Sequence, residues 1–593
     1  MNKSIFALLL VGMLTISSPT WSASSFNDVQ QRAESGDAKA QLELGYRYFQ
    51  GNETARDVEK ALRWFQRAAQ QGYTPAEYVM GLRYANGEGV AQDYAQAAQW
   101  YRKAAVKGLP QAQQNLAVLY RKGHGVAADS HEAVMWHRKA AEQGLANAQC
   151  SMGYAYLEGD GVAQDYALAL AWYRKSAEQG NAEAYNQLGV MYVQGLGVEK
   201  DPAVAAQLYR KAAEKGYDVA QSNLGSLYYK GSGVEKDYGL AKHWYLKSAE
   251  QGFAAAQTSL ASLYYHGEGV EQDYVQAREW YRKAAEQGDA TAQESLGILY
   301  ERGLGVEKNL QQAVAWYRLA AAQGDARGQM NLGTMYLDGS GVEQNYVLAR
   351  KWFGKAAEQG NSAAQHRLGY LYEKGLGGEK DGPQALAWYH KSAEQGNAIG
   401  QFRLAELYSS GTEGVKYNRE QAIIWYNKAA EQGDLHAQVN LGALYGHGTK
   451  EEQRKAVALY RKAAEKGFRI GQYNLGYVYL HGKGVEKDEA QAANWVRKAA
   501  EQGLSEAQLL LGEMYRDGQG VKRDRVQAWA WFDTSSANDM NPFAAQNSIF
   551  LEKKMTAEER AQAKVLSKQY VEKYAPEAWA RIQKLKTQPA PIQ

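Results

Sequence analysis

The stretch FAAAQTSLASLYYHGEGVEQDYVQAREWYRKAAEQG, residues 253–288, decides the fold of this chain. The glycine that ends it recurs along the sequence at Gly36, Gly72, Gly108, Gly144, Gly180, Gly216, Gly252, Gly288, Gly324, Gly360, Gly396, Gly433, Gly467 and Gly503. The spacing is 36 residues throughout, except for one of 37 and one of 34 at Gly433 and Gly467. Fourteen consecutive repeats therefore fill residues 37–539, and such a period is typical of a repeat protein.

Each repeat has the pattern of two amphipathic helices. Counting from the residue after each glycine, positions 8, 9 and 12 (Leu224 to Tyr228 in one repeat) share one face of a first helix. Positions 25, 28, 29 and 33 share one face of a second helix, as Ala277 and Trp280 do. Glycines at positions 15 and 36 are placed to end the helices, and Asp or Asn at position 21 is placed to begin the second. A single helical hairpin cannot bury its apolar face alone, so the repeats must stack into an all-α solenoid.

The beginning of the chain has the pattern of a signal peptide. Lys3 precedes an apolar run from Ile5 to Ile16, and small and polar residues follow it. We expect residues 1–23 to be a signal peptide that is cleaved between residues 22 and 25, followed by a lead-in at 24–36. The mature protein is then exported, without a transmembrane segment.

A capping region is predicted after the last repeat, at residues 540–585. Within it, Thr556 and Glu559 form a capping box for a helix from Ala557 to Tyr574. This helix is expected to cover the open end of the solenoid. Residues 586–593 are expected to form a disordered tail.

Two neighbouring repeats, within residues 397–467, break the pattern. The first carries one extra residue, and the second loses the Gly-Val turn and two residues. Two interpretations stay open: tolerated loop variation, or a local change in superhelical twist.

Composition and motifs argue against an enzyme. The formal net charge is +3 over 593 residues, which offers no general attraction to nucleic acid. No spacing of a catalytic nucleophile, a phosphate-binding loop or a zinc protease is found, so we expect neither a catalytic site, nor a metal, nor a cofactor. His447 and His481 occupy equivalent positions of adjacent repeats and make at most half a metal site. The one cysteine, Cys150, is expected to be an exposed thiol because other repeats carry polar residues at its position 6.

A partner protein is expected on the variable face of the first helices. Positions 6, 10 and 13 form a stripe there, spaced i, i+4 and i+7, and stacking aligns the stripes on the concave wall of the solenoid. Large and aromatic side chains in this stripe are favoured at protein interfaces. Leu42 lies in this stripe. The predicted partner-binding residues are Tyr46, Phe49, Tyr78, Leu82, Tyr229, Tyr265, Tyr370, Phe402, Glu406, Tyr473 and Tyr477.

The repeat pattern resembles that of the Sel1-like repeat family. The residues that carry the resemblance are Ala-x-Ala-Gln-x-x-Leu-Gly-x-x-Tyr, then Gly-x-Gly-Val-x-x-Asp, then Ala-x-x-Trp-Tyr-Arg-Lys-Ala-Ala-Glu-Gln-Gly, over residues 30–539. Members resemble tetratricopeptide proteins and act mostly as adaptors, so the resemblance implies a scaffold that works by binding. Residues 33–54 and 527–541 are similar to the ends of family members that bind secretory immunoglobulin A.

That second resemblance implies an exported scaffold that binds host secretory immunoglobulin A and dampens IgA-dependent phagocyte activation. Separately, we expect the chain to be monomeric. The alternative is a periplasmic adaptor that regulates an envelope or signalling complex. The repeat motif is structural, so the resemblance transfers no individual binding residue.

Overall fold

The structure, a computed structural model, describes residues 25–411 and 414–587. In these two ranges the regular secondary structure is α-helical throughout. The chain divides after Asp289 into two compact units, an N-terminal unit and a C-terminal unit. The predicted all-α solenoid of helical hairpins is confirmed, while residues 1–24, which include the predicted signal peptide, lie outside the described part.

The N-terminal unit contains fifteen of the helices that the structure describes: α1 (Phe26–Glu34), α2 (Ala38–Gln50), α3 (Val58–Gln70), α4 (Thr74–Asn86), α5 (Tyr94–Val106), α6 (Pro110–Lys122), α7 (Ser130–Glu142), α8 (Ala146–Glu158), α9 (Tyr166–Glu178), α10 (Ala182–Gln194), α11 (Pro202–Glu214), α12 (Asp218–Lys230), α13 (Tyr238–Glu250), α14 (Ala254–His266) and α15 (Tyr274–Glu286). From α1 to α15, consecutive helices of this unit pack against each other.

The C-terminal unit contains α16 (Ala290–Arg302), α17 (Leu310–Ala322), α18 (Ala326–Asp338), α19 (Tyr346–Glu358), α20 (Ser362–Lys374), α21 (Gly382–Glu394), α22 (Ala398–Ser410), α23 (Arg419–Glu431), α24 (Leu435–Gly446), α25 (Lys450–Glu465), α26 (Arg469–His481), α27 (Glu489–Glu501), α28 (Ser505–Asp517), α29 (Arg525–Asp539), α30 (Pro542–Glu552), α31 (Ala557–Tyr574) and α32 (Pro576–Thr587). The even-numbered helices up to α28 are the first helices of the fourteen repeats.

The helix ends follow the predicted capping. Gly87 ends α4 with φ +72°, a left-handed conformation that glycine adopts without strain. Asp93 precedes α5 and accepts hydrogen bonds from the backbone N–H groups of Ala95 and Gln96. The same two devices recur along both units, which explains why the loops between the two helices of a repeat are short.

Close contact between the two helices of a repeat depends on a glycine facing an aromatic ring. A Cβ atom added at Gly297 would lie 2.3 Å from the ring of Tyr317, well inside van der Waals contact. Tyr317 is fully buried. Position 9 is therefore small because position 29 of the same repeat is large.

Buried glutamines join most repeats to the one before. Gln113 is 3% exposed and donates a hydrogen bond of 3.0 Å to the backbone carbonyl of Ala105 in the preceding repeat. Its own Oε1 accepts from Gln143 at 2.8 Å. Equivalent pairs recur in both units, so the Ala-Gln of the repeat pattern satisfies polar groups at the junction.

One repeat replaces the glutamine pair with an ion pair. Glu77 and Lys107 occupy the positions of Gln113 and Gln143, and Lys107 Nζ donates to Glu77 Oε1 at 2.7 Å. The Glu77 side chain is 4% exposed and that of Lys107 is 39% exposed. The lysine also donates to the Gly72 carbonyl, so an ion pair and a hydrogen bond connect the repeats here in place of the glutamine pair.

The two ends of the chain contain more helix than the sequence predicts. Residues of the lead-in form α1, which packs Val29 and Ala33 against Leu44 of α2. The predicted helix at 557–574 is α31, which packs on α29. Helix α30 precedes it, and α32 follows it and runs to Thr587, past the predicted start of the tail at Lys586. These helices lack the repeat pattern, which is why periodicity does not detect them.

The shortened repeat compensates for its missing turn with a longer helix. Helix α25 has 16 residues, whereas α29 has 15 and the other second helices of the repeats have 13. Thr449 and Glu452 form a capping box at its start, and Arg419 donates to Glu452 at 2.7 Å. The Glu452 carboxylate thereby accepts hydrogen bonds from the start of its own helix and from Arg419 at the start of α23.

Candidate protein-binding surface

The structure divides the predicted stripe into a buried part and an accessible part. Eight position 6 side chains are no more than 9% exposed: Leu42, Tyr78, Gln114, Cys150, Asn186, Ser222, Glu294 and Val439. Position 7 of the following repeat forms hydrogen bonds with four of them, Tyr78, Gln114, Asn186 and Glu294. In one of these, Asn223 Nδ2 donates to Asn186 Oδ1 at 2.9 Å. Positions 10 and 13 are mostly half-buried. We call the half-buried side chains at positions 6, 7, 10 and 13 the first-helix face.

The prediction that Cys150 is exposed is wrong. Its side chain is 4% exposed within a core cluster that includes Tyr173 and Leu188. Burial raises the pKa of the thiol well above its usual range. Polar residues at position 6 in other repeats are tolerated because the next repeat supplies them with hydrogen bonds, as Ser151 does for Gln114.

The first group of predicted residues surrounds a buried arginine. The Arg83 guanidinium lies 4.2 Å from the ring centroid of Phe49. Tyr46 packs edge-on against Phe65 at 5.1 Å, and burial raises its pKa to about 12. Phe49 and Tyr46 remain half-buried, as does Leu82.

Tyr78, by contrast, is 6% exposed. Its ring lies 5.8 Å from that of Tyr101, and its hydroxyl accepts a hydrogen bond from Asn115 at 3.4 Å. Tyr78 and Leu42 therefore support the junction between repeats and present little surface.

A second group lies in the last two repeats of the N-terminal unit. Tyr229 packs edge-on against Tyr238, and Tyr265 packs in the same way against Tyr274. The Tyr229 hydroxyl donates to Glu268 Oε2 at 2.8 Å, and this hydrogen bond raises the tyrosine pKa to about 12. Glu268 thus ties the two repeats together beneath two half-buried rings.

A third group lies in the C-terminal unit. Tyr370 is half-buried and packs against two core clusters. Phe402 lies 5.8 Å from Tyr426, and Glu406 accepts from Arg403 at 2.8 Å. The Arg403–Glu406 pair places both signs of charge beside an aromatic ring.

The fourth group is the pair Tyr473 and Tyr477 on α26. Their ring centroids are 6.5 Å apart, and Tyr477 lies 4.2 Å from the ring of His481. The Lys483 ammonium lies 5.1 Å from the Tyr477 ring. Both rings are half-buried, and burial raises the pKa of Tyr473. This is a compact aromatic cluster with a cation at its edge.

The structure therefore brings the predicted residues together as four local groups, two in each unit. Sequence reasoning missed position 7, where asparagine recurs as Asn115, Asn223, Asn331, Asn440 and Asn474. These side chains are half-buried on the same face, and Asn331 donates to Glu294 at 3.0 Å. The recurrence of asparagine was the signal that could have identified them.

Candidate sites of other kinds are limited. In the ranges 25–411 and 414–587, no three His, Cys, Asp or Glu side chains are arranged to hold a metal ion. His447 and His481 are both exposed. None of the helices that the structure describes combines the length and apolar character needed to cross a bilayer.

Comparison with protein families finds the Sel1 repeat along the chain. The Sel1 repeat model matches residues 38–73, 74–109, 110–145, 146–181, 182–217, 218–253, 254–289, 290–325, 326–361, 362–397, 398–434, 435–468, 470–504 and 505–539. These fourteen matches follow the repeats of the structure.

Three bacterial proteins illustrate what this chain is similar to. A stretch of 69 residues is 52% identical to the secretory immunoglobulin A-binding protein EsiB of Escherichia coli O6:H1 (strain CFT073), a match that spans 12% of this chain and only 14% of that protein. The crystal structure of c5321, described as a protective antigen of uropathogenic E. coli with an SLR fold, is 50% identical over 96% of this chain and 99% of that one, with a TM-score of 0.40. A Sel1 repeat protein from Oxalobacter formigenes is 33% identical over 53% of this chain and 92% of its own, with a TM-score of 0.43.

Proposed function

This chain belongs to the Sel1 repeat family, and on that premise we propose that it is an exported scaffold that binds a host protein, secretory immunoglobulin A, through its first-helix face. It performs no catalysis in this proposal. Its effect is to occupy the immunoglobulin and so dampen IgA-dependent phagocyte activation. The observation that carries the proposal is the 52% identity to EsiB over 69 residues.

The first-helix face has the chemistry of a protein-binding surface. Its side chains vary from repeat to repeat, while the residues that hold the repeats together are nearly constant. Half-buried tyrosines such as Tyr229, Tyr265 and Tyr477 are held in place by neighbours, so ordering them on binding costs little entropy. The face therefore offers aromatic rings for apolar contact and tyrosine hydroxyl groups for hydrogen bonds.

Within this face, we assign the Tyr473–Tyr477 pair as a main contact. The two rings form one patch, and Lys483 and His481 border it with hydrogen-bonding groups. Aromatic side chains with a polar rim commonly dominate binding energy at interfaces.

The proposal is tested by binding of the purified protein to immobilised secretory immunoglobulin A, with serum IgA and IgG as comparisons, at physiological salt. Saturable binding that prefers the secretory form is the expected result. A folded sample that binds none of the three at micromolar concentration would overturn the immunoglobulin proposal. A pull-down from bacterial envelope extract would then test the periplasmic adaptor.

The surface is tested by the double substitution Tyr473→Ala and Tyr477→Ala. We expect it to weaken binding by roughly tenfold or more, since it removes two aromatic contacts, each on the order of 1 kcal/mol or more. Helical content and thermal unfolding should change little. Tyr417→Ala is the matched control, because Tyr417 is 58% exposed and lies in a loop outside the first helices. Unchanged affinity in the double variant would remove the pair from the surface.

A further inference from the structure

Exposed apolar side chains are concentrated around α30 in the C-terminal unit. Met540 is 75% exposed, Phe543 is 68%, Ile549 is 58% and Phe550 is 54%. Four large apolar side chains within eleven residues form a patch of the kind that marks an interaction site. We call these four residues the α30 patch.

The patch is the outward side of a helix whose inner side is already used. Ala544, Ser548 and Leu551 of α30 are buried. Leu551 packs in a cluster with Trp529 and Phe532 of α29. Helix α30 therefore has a well-packed core-facing side, and the exposed apolar side chains lie on its opposite side.

Backbone conformation also holds one of these side chains outward. Met540 has φ +51°, in the left-handed region that non-glycine residues adopt only with strain. Asn541 follows it and begins α30, accepting hydrogen bonds from the N–H groups of Phe543 and Ala544. The sharp turn between α29 and α30 thus places Met540 beside the start of the patch.

Charge is distributed unequally along the patch. Asp539 lies just before it and is exposed, while Lys553 and Lys554 lie just after it and are exposed. The Lys554 ammonium lies 4.1 Å from the Phe550 ring. Glu552, between the two ends, faces Lys564 at 3.8 Å. The patch is therefore negative at one end and positive at the other.

We propose that the α30 patch binds the same patch of a second copy of this chain, with the two α30 helices antiparallel about a twofold axis. Phe543 and Phe550 are seven residues apart, two helical turns and about 10 Å along the helix. An antiparallel pair therefore places Phe543 of each copy opposite Phe550 of the other. The same arrangement brings Asp539 of each copy to the lysine end of the other.

The apolar area that two copies would bury against each other is that of a weak dimer. With side-chain areas on the order of 200 Å², the exposed fractions of the four residues give roughly 500 Å² of apolar surface per copy. Two copies then bury about 1,000 Å², at the lower limit of specific interfaces. The proposal replaces the monomer that we expected from the sequence with a reversible dimer, and it does not depend on the immunoglobulin proposal.

Sedimentation velocity of the full-length protein across a concentration series tests this directly. A concentration-dependent shift from monomer to dimer is expected for the natural chain. Phe543→Ser with Phe550→Ser should weaken association by roughly tenfold or more, because two aromatic contacts are lost from each copy. Leu168→Ser is the matched control, since Leu168 is an exposed apolar side chain (42% exposed) on α9 of the N-terminal unit, outside the α30 patch.

A charge exchange tests the antiparallel arrangement. Asp539→Lys alone and Lys553→Glu with Lys554→Glu alone should each weaken the dimer, and the triple variant should recover the affinity of the natural chain. A protein that stays monomeric throughout the series overturns the proposal. Association that the serine variant leaves unchanged, or that the triple variant does not recover, overturns it as well.

Discussion

The two sides of a first helix differ in how much their residues vary from repeat to repeat. On α26, Gln472, Leu475 and Gly476 face inward and are buried, and nearly every repeat has the same residues at these positions. On the same helix Tyr473 and Tyr477 are half-buried, and other repeats carry different residues there. The inner side sets how repeats stack, and the outer side varies from repeat to repeat, as a surface that recognises a partner in our proposal would. The comparison predicts that substitutions on the two sides differ in their effect on stability.

The largest effect is expected for Phe353→Ala, in the second helix α19, whose ring packs against the inner side of the first helix α18. Phe353 is fully buried against Gly333, so its removal leaves a cavity that costs about 3–5 kcal/mol. Hydrogen exchange of the amides in α18 and α19 measures this loss locally, which suits a repeat protein whose repeats need not unfold together.

The matched control is Phe402→Ala on the first-helix face. The same atoms are removed from a half-buried site, so the loss should be less than half as large. Equal losses at the two positions would contradict the division between the two sides.

A smaller effect is expected at the ion-paired junction. Lys107→Met leaves the buried Glu77 carboxylate without its cation, at a cost of about 1–3 kcal/mol. Changing both residues to glutamine recreates the pair that Gln113 and Gln143 form, and should restore most of the stability. Urea unfolding of the single and double variants checks both expectations. A double variant as unstable as Lys107→Met would show that the junction is not interchangeable.

Sequence periodicity predicts the regular part of the fold well because each of its signals is local. Gly87 ends a helix and Asp93 begins one through contacts within a few residues. The burial of Cys150 and Tyr78 depends instead on neighbouring repeats, which bury position 6 in eight repeats but leave position 10 half-buried or exposed. Helical spacing places both positions on one stripe, so it cannot separate them.

The ends of the chain show the same limit. Helices α1, α30 and α32 have no repeat to reveal them, and the α30 patch arises from the turn at Met540. Which residues of the first-helix face group together also depends on contacts across repeats, such as that from Tyr229 to Glu268. Composition along one repeat does not contain this information.

The smallest effect concerns a histidine of the second helix α7, which packs against the first helix α6, and the effect appears only at acidic pH. His137 takes the place that Tyr173 has in the next repeat, is 2% exposed, and lies 2.8 Å by Nδ1 from Gln114 Oε1. Gln114 accepts there, so Nδ1 carries the proton. Burial lowers the pKa of His137 to about 3, so the unfolded chain binds a proton at a higher pH than the folded chain does.

The neutral His137 side chain therefore makes its full contribution to the free energy of unfolding above about pH 6.5. This contribution is lost as the pH falls from there toward 3. The expected loss from pH 6.5 to 5.5 is about 1 kcal/mol, measured by hydrogen exchange of α6 and α7. Ala117 stands where most repeats have the glycine that admits a tyrosine ring, so His137→Tyr is combined with Ala117→Gly as the comparison. That variant has the inner side of an ordinary repeat and should lose its acid dependence locally, whereas an unchanged loss would place the titrating group elsewhere.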